Sequence, residues 1–240
     1  MQETEAEFLQ KYDRREYLAP LMTVDAAIFT FHGGKLLVLL TERGEHPEKG
    51  KWALPGGFVD EEKDASLEET IQRKLQEKTG VQAPYIEQLM SVGNNQRDAR
   101  GWSVTVVYTA LVALQSCQSF VDNVSEVRWE MYEEALKMDL AFDHIEIMKA
   151  ARERLKQKAL YSMVPAYALP EEFTLPELQH CLEVLIDKPI QKKSFRRRVE
   201  QADLMEEVGL RSADKKGRPS MAYRLKEGVK DFTFIRNLDA

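Results

Sequence analysis

Cysteine is scarce in this 240-residue chain, and its scarcity excludes two classes of protein. The two cysteines, Cys117 and Cys181, stand far apart and match neither a disulfide framework nor a zinc-binding spacing. The four histidines are scattered and also lack the spacing of metal ligands. We therefore expect neither a disulfide-stabilised module nor a zinc domain, and we interpret both cysteines as buried, reduced thiols of a cytoplasmic protein.

Long hydrophobic runs are missing as well. The longest, Val104 to Leu114, is too short to cross a bilayer and is rich in β-forming residues. The first residues, Met1 to Tyr17, are charged and acidic, unlike a signal peptide. These observations predict a cytoplasmic protein without a membrane partner, and the length allows one or two domains that each bury a core.

Charged residues are abundant, but the net charge of −6 at pH 7 is unevenly distributed. Residues 1–169 hold 20 basic and 27 acidic side chains, whereas residues 188–226 hold 12 basic and 5 acidic ones. A basic segment on an acidic protein indicates a polyanionic partner at that end of the chain.

The first 160 residues alternate β-rich runs with amphipathic helical patterns. One long helix is expected from Ser66, as its N-cap, to Lys78, with Gly80 ending it, and a second from about His144 to Leu160. The glycine pair at 33–34 marks a hairpin. Strands are predicted over 24–31, 35–41, 86–92, 103–114 and 124–129, and a short polar helix over 3–12.

The C-terminal residues follow a different order. Thr174 to Glu177 is a capping box that opens a helix, and a turn at 188–190 leads to a second helix over about 191–204. Strand-like runs at 208–211 and 221–225 then flank a charged loop, which is the order of a winged helix-turn-helix. We interpret residues 161–173, with their two prolines, as a linker, so that the predicted domains are 1–160 and 174–240.

The second of these helices predicts contact with double-stranded DNA. Phe195, Val199 and Ala202 share one helical face and are expected in the core, which leaves a polar, basic face outward. A recognition helix places its N-terminal part in the major groove, and basic loop residues suit phosphate or minor-groove contact. The competing interpretation is a solvated basic helix on an ordinary interaction module. The predicted DNA-binding residues are Lys192, Lys193, Ser194, Arg197, Arg198, Gln201, Lys215, Lys216 and Arg218.

The segment from Trp52 to Val81 resembles the Nudix box, G-x5-E-x7-R-E-U-x-E-E-x-G-U with U aliphatic. Leu54, Pro55, Gly56 and Gly57 lead into a helix that contains Arg73, Glu77, Gly80 and Val81. In that family the carboxylates of the box bind magnesium and support cleavage of nucleoside diphosphates. The resemblance therefore implies a Nudix α/β/α sandwich for the first domain.

The catalytic half of this box is degenerate, with Arg73, Lys74, Glu77 and Lys78 on its helix. Positions 74, 77 and 78 share one helical face, where two ammonium groups would repel magnesium and could pair with Glu77. The first glutamate of the family pattern falls on Ala65. We therefore expect no catalytic residue and no metal site. The acidic residues Glu61, Glu62 and Asp64 leave a displaced metal site open, although a solvated acidic loop is the simpler interpretation.

A Nudix-like domain followed by a winged helix-turn-helix resembles the Nudix-related transcriptional regulators of NAD metabolism, the NrtR family. The resemblance rests on residues 52–58, 93–107, 140–144 and 194–203. It implies a homodimeric repressor of NAD-biosynthesis and salvage genes that binds palindromic operator DNA. It also implies that ADP-ribose, bound in the Nudix domain, releases the DNA, and that no cofactor is required.

A diphosphate ligand needs fixed positive charge, which arginine forks provide. Arg97 and Arg100 lie in one loop beside Trp102, which is suited to stacking on adenine or ribose. For each of these residues the simpler alternative is a core aromatic or a surface charge. Two other functions stay open: a magnesium-dependent ADP-ribose pyrophosphatase using displaced carboxylates such as Glu69, and a sugar-responsive regulator. The predicted ADP-ribose-binding residues are Arg43, Trp52, Gly56, Gly57, Arg97, Arg100, Trp102, Phe142 and His144.

Overall fold

A computed structural model describes residues 4–13, 16–211 and 219–229 of the chain. Among these residues, those before 160 form seven strands and four helices, and a shorter unit follows. In chain order the elements are α1 (Glu5–Lys11), β1 (Leu21–His32), β2 (Lys35–Arg43), β3 (Trp52–Ala53), β4 (Gly56–Phe58), α2 (Leu67–Thr79), β5 (Glu87–Asn94), β6 (Ser103–Leu111), β7 (Val124–Met131), α3 (Tyr132–Ala135), α4 (His144–Ala159), a 3-10 helix (Val164–Ala168), β8 (Phe173–Thr174), α5 (Leu175–Ile186), α6 (Lys192–Ala202), β9 (Met205–Arg211) and β10 (Ser220–Leu225).

The first seven strands form one mixed sheet around β1. This strand pairs antiparallel with β2 through the predicted hairpin and parallel with β6 over nine residues, from Leu21–Ser103 to Phe29–Leu111. β5 lies beyond β6, and β7 pairs with β2. The two short strands, which the sequence did not predict, pair with β2 and β1 and bring the residues of the box to the sheet.

One helix covers each face of this sheet. On one face, Ile71 and Leu75 of α2 pack among buried residues such as Val24 and Tyr108. On the other face, α4 packs its buried apolar residues against β1 and β2. The caps of α2 form as predicted, since the Ser66 side chain accepts a hydrogen bond from the Glu69 amide and the C-cap Gly80 has a φ of +69°. The predicted α/β/α sandwich is confirmed.

The C-terminal unit is a winged helix, as predicted. Thr174 caps α5 in a full capping box with Glu177, and β8, β10 and β9 form a three-stranded antiparallel sheet. Helix α6 ends at Ala202, earlier than expected, because Asp203 adopts the left-handed conformation with a φ of +51°. The loop between β9 and β10, at 212–218, lies outside the described residues.

The segment predicted as a linker is largely buried. Its 3-10 helix places Val164, Ala166 and Ala168 in the same apolar cluster as α4 and α5. This cluster therefore runs without interruption from the sheet into the winged helix. The division of the chain at 161–173 stays a prediction.

Both cysteines are free thiols, and Cys181 is buried on α5, where burial raises its pKa to about 12. Across the described ranges, no helix has the length and apolar character that a membrane crossing requires.

Candidate ligand cavity and nucleic-acid interface

A polar cleft opens where the first half of β1 and the end of β2 meet the loop between β5 and β6 and the start of α4. It encloses about 1020 Å³, including the space open to solvent. Seven of the nine residues predicted to bind the ligand line it: Arg43, Gly56, Gly57, Arg97, Arg100, Phe142 and His144. The cleft also contains residues that we did not predict as ligand contacts, including Thr23, Asp25, Thr41, Lys74, Lys78, Asp98 and Asn123.

Gly56 is required by close packing rather than by a turn. A Cβ atom on this residue would lie 2.2 Å from the Asp25 carboxylate and 2.3 Å from the Val24 carbonyl oxygen. On Gly57 it would lie 3.2 Å from the Lys74 side chain, so the glycine lets the box helix approach the cleft. Because neither glycine has a side chain, the cavity wall at this point is formed by backbone atoms.

Arg97 is almost fully buried in the cleft wall, with 5% of its side chain exposed. Its Nε and Nη2 atoms donate to the two carboxylate oxygens of Asp143 at 3.0 and 2.9 Å. Nη2 also lies 3.7 Å from Asp25. This fork is therefore held in place by α4 and β1 before any ligand binds.

Arg43 and Arg100 face the cleft from two other elements. Arg43, the last residue of β2, donates to the Pro47 carbonyl at 2.8 Å and lies over the Phe142 ring at 4.7 Å from its centroid. Burial, together with the charge of Arg100, lowers the pKa of Arg43. Arg100 donates from Nε and Nη2 to the two carboxylate oxygens of Asp98, and its guanidinium lies over the Phe58 ring at 4.9 Å from the ring centroid. Both guanidinium planes are thus oriented by neighbours.

His144, at the start of α4, is buried beneath the cleft. The Leu54 amide donates to its Nδ1 at 2.9 Å, and its Nε2 lies 3.7 Å from Asp25. Burial lowers the pKa of His144, which is therefore neutral at pH 7. Its contact fixes the backbone before Gly56 to the first turn of α4, a positioning role rather than an electrostatic one.

The box helix does not fit magnesium. Arg73 pairs with the two carboxylates nearest to it, since it donates to Asp64 at 2.7 Å and to Glu77 at 3.1 Å. Lys74 lies 3.8 Å from Glu77 and borders the cleft. Among the described residues, no group of three or more His, Cys, Asp and Glu side chains could hold a metal ion.

Lys78 brings a second ammonium group into the cleft. Its Nζ lies 3.7 Å from the position that a Cβ on Gly57 would occupy. Burial, followed by the charge of Lys74, lowers the pKa of Lys78 to about 8. Of the two lysines that could pair with Glu77, Lys74 does so, and within the described part of the chain the other partner of Glu77 is Arg73. The Lys78 charge thus faces the cavity.

The two predicted tryptophans do not line the cleft. Trp52 lies next to Ala53, which does line it, and neighbouring residues of a strand point to opposite faces. Its ring instead packs under the guanidinium of Arg128 at 4.0 Å. Trp102 is 52% exposed outside the cleft, with its ring against Gly93.

The second candidate site is the outer face of α6. Phe195 and Val199 are buried as predicted, and Lys192, Lys193, Ser194, Arg197 and Gln201 are exposed. Arg198 is exposed too, but its Nη2 donates to the Leu160 carbonyl at 3.1 Å, so it is directed toward the end of α4. The predicted contacts Lys215, Lys216 and Arg218 lie outside the described residues.

Comparisons with known proteins agree with both parts of this architecture. A NUDIX domain model matches residues 20–151, and a model described as the NrtR DNA-binding winged helix domain matches residues 165–225. The ADPR responsive transcriptional repressor NtrR of Acinetobacter baylyi is 44% identical over 236 residues, which are 98% of this chain and 94% of that protein. The chain belongs to the NrtR family.

Solved structures of the NrtR family align closely with this chain. Shewanella oneidensis NrtR complexed with a 27mer DNA is 59% identical, with a TM-score of 0.84 over 90% of this chain and 99% of that one. The NUDIX domain of the same NrtR, complexed with ADP ribose, is 57% identical, with a TM-score of 0.63 over 64% of this chain and 99% of that one. These NrtR relatives thus bind DNA and ADP-ribose.

Proposed function

We propose that this protein is a transcriptional repressor that binds operator DNA through its winged helix. A diphosphate ligand bound in the cleft, ADP-ribose, is the effector that releases it from the DNA. In this proposal it acts in the cytoplasm as a homodimer on palindromic operators of NAD-biosynthesis and salvage genes. The observation that carries the proposal is a cleft of five cationic side chains on a fold whose catalytic carboxylates are replaced. Those side chains are Arg43, Lys74, Lys78, Arg97 and Arg100.

The chemistry of the cleft supports a diphosphate ligand. Guanidinium groups bind phosphate oxygens through paired hydrogen bonds, and partial burial strengthens such contacts. Arg43 and Arg97 come from different elements and face one cavity, so they can hold both phosphates of one ligand. The ring of Phe142 and the backbone of Gly56 and Gly57 provide less polar surface for the rest of the molecule.

The box chemistry supports binding without hydrolysis. Metal-assisted cleavage needs a cation held where the attacking water and the phosphate meet. In this chain the ammonium groups of Lys74 and Lys78 and the guanidinium of Arg73 stand at the box helix, and the family's first glutamate is Ala65. The fixed cations can neutralise the ligand, but they cannot activate water.

A binding experiment tests the repressor function directly. The protein selects its own duplex from a random DNA library, and its affinity for that duplex is measured by fluorescence anisotropy with and without ADP-ribose. We expect release at saturating ADP-ribose, because an effector that prefers one of two states shifts the equilibrium by its differential affinity. A complex that persists at saturating ligand contradicts this effector assignment.

Paired lysine variants test the role of the box helix. Replacing Lys74 and Lys78 by Met should weaken ADP-ribose binding by about a hundredfold or more, because each charge-assisted hydrogen bond contributes about 1.5–3 kcal/mol. Lys63→Met is the matched control, since Lys63 is exposed and pairs with Asp60 in the loop before the helix. Equal affinity of the double variant and the control would remove the box lysines from the site.

The main competing function is a magnesium-dependent ADP-ribose pyrophosphatase. It predicts release of AMP at an ordinary enzymatic rate, about 1–1000 per second, once magnesium is added. The candidate displaced ligand Glu69 instead accepts a hydrogen bond from the Ala65 amide at 2.8 Å, as a helix-capping group. We expect no such turnover. A sugar-responsive regulator is disfavoured because a neutral sugar gives the five cations of the cleft no counter-charge.

A further inference from the structure

Helix α4 touches the ligand cleft with one end and the winged helix with the other. It runs over 16 residues, which corresponds to about 24 Å of helix. Its apolar face, with Ile147, Met148 and Leu155, is fully buried in the cluster that also contains α5. A packed helix of this kind moves as a unit, so a change at its first turn reaches its last turn.

Arg97, which a diphosphate would also bind, holds the first turn of α4 at the cleft. The N-cap of α4 is Asp143, whose carboxylate makes no capping bond and instead accepts both hydrogen bonds from Arg97. The preceding residue, Phe142, has a φ of +54°, and its amide donates to Glu48 at 2.9 Å. The cleft wall and the helix start are therefore one continuous segment.

The second half of α4 holds the C-terminus of α5. Arg152 donates to the Leu185 and Val184 carbonyls at 2.7 and 2.9 Å and to the Asp187 carboxylate at 3.1 Å, with 12% of its side chain exposed. Lys156 donates to the other oxygen of Asp187 at 2.9 Å. These contacts fix the turn that leads from α5 into α6.

We propose that α4 couples the cleft to the recognition helix, with the Arg97–Asp143 ion pair as its ligand-sensing end and Arg152 as its DNA-side end. This inference rests on the proposed function. A bound diphosphate competes with Asp143 for the Arg97 fork and repels the Asp143 carboxylate. Both effects release the first turn of α4. The shift of α4 then moves the carbonyls that Arg152 holds, and with them the start of α6. Asp143 and Arg152 are positioning residues in this account.

The test compares two affinities and their coupling in each variant. ADP-ribose binding is measured by calorimetry, and binding of the selected duplex is measured with and without saturating ADP-ribose. The wild-type protein should show a ratio of DNA affinities in the usual allosteric range, about 5–150-fold. In Arg152→Met the ratio should fall to about twofold or less, while the variant still binds ADP-ribose as the wild type does.

Asp143→Asn tests the other end of the helix. Without the competing carboxylate, Arg97 is available to the ligand, so ADP-ribose should bind more tightly while the DNA-affinity ratio falls. Lys149→Met is the matched control, because Lys149 lies on the same helix and its ion-pair partner among the described residues is Glu146, on that helix too. The control should keep the wild-type ratio.

Three results would overturn the inference. If both Asp143→Asn and Arg152→Met keep the wild-type ratio of DNA affinities, α4 is not the coupling element. Hydrogen exchange on the wild-type protein gives a second test that does not depend on how a variant folds. ADP-ribose should change amide exchange at 184–190 as well as at the cleft. Unchanged exchange at 184–190 contradicts the inference. A wild-type ratio of one overturns the proposed function itself, and the inference with it.

Discussion

Arg73 and Asp64 form a bidentate ion pair, with Nε 2.7 Å from Oδ1 and Nη2 2.5 Å from Oδ2. The same guanidinium donates to Glu77 one turn further along α2. One arginine therefore ties the acidic loop to the box helix. Asp64 of the loop and Glu77 of the box are thus structural partners of one cation.

Asp64→Asn should destabilise the fold. The hydrogen bonds from Arg73 hold the pKa of Asp64 well below its usual value. A carboxyl group with a depressed pKa stabilises the folded state above its unfolded pKa of about 3.9, and this stabilisation is lost as the pH falls. The variant should show a lower thermal midpoint at pH 7 and a weaker loss of stability below pH 4. Glu62→Gln, in the same loop but exposed, is the control; an equal midpoint for both variants would contradict the prediction.

ADP-ribose affinity should fall as the pH rises through 8. The pKa of Lys78 is lowered to about 8, chiefly by burial, with Lys74 and Arg43 lowering it and Asp25 and Glu77 raising it. A diphosphate prefers the protonated ammonium, so the dissociation constant should rise about tenfold between pH 7 and pH 9. Calorimetry across this range measures the profile.

Lys78→Met provides the control for this pH profile and a prediction of its own. The variant should bind more weakly at pH 7 but lose the pH dependence around 8. Because the folded pKa lies below the unfolded one, protonated Lys78 disfavours the folded state at pH 7, and this penalty disappears only as the pH rises above about 10. Lys78→Met should therefore raise the free energy of unfolding at pH 7 by about 1–3 kcal/mol. An unchanged profile would show that another group controls binding.

Arg197→Ala should reduce operator affinity and relax specificity at one base position. Arg197 is exposed on α6 and has no hydrogen bond or ion pair to the described residues, so its fork is available to a base edge. The expected loss is about 1–3 kcal/mol for a base contact. Lys216→Ala, if the residue contacts phosphate, should weaken binding to all sequences and lower the salt dependence. Unchanged operator affinity would remove Arg197 from the set of reading residues.

The two units should unfold together. Leu178 of α5 is fully buried in the cluster that continues into the sheet and α4. Leu178→Ala should therefore destabilise the protein by about 2–5 kcal/mol and shift one common transition in calorimetry. Leu9→Ala, on the exposed α1, should leave the midpoint unchanged. Two separate transitions in the wild type would contradict the continuous core.

Local patterns predicted the helices well. The cap at Ser66, the terminating Gly80 and the capping box at Thr174 depend on residues within four positions of one another, so the sequence contains all of their determinants. The predicted strand that ends at Leu114 actually ends at Leu111, where its paired register with β1 ends at Phe29. Short strands such as β3 form only because a neighbouring strand pairs with them, and two residues are too few to show a periodic pattern.

The cleft itself was only partly predictable. Arginine type and loop position indicated Arg97 and Arg100, whereas Trp52 lies outside the cleft, with its ring against Arg128. The sequence did not indicate that Asp25 lines the cleft. It lies inside an apolar strand, and the hydroxyl that donates to its carboxylate belongs to Thr105, which is 80 residues away. A charged residue within the β-rich run was the available signal.

By itself, the sequence determined which charges this protein carries on its box helix and on α6, because side-chain identity needs no folding. Only the tertiary structure decided what those charges meet. Arg97 and Asp143 are 46 residues apart, and they become partners only because α4 packs across the sheet. The physical reason is distance along the chain: caps and helical faces are set by near neighbours, whereas a cleft is set by long-range packing that excludes water.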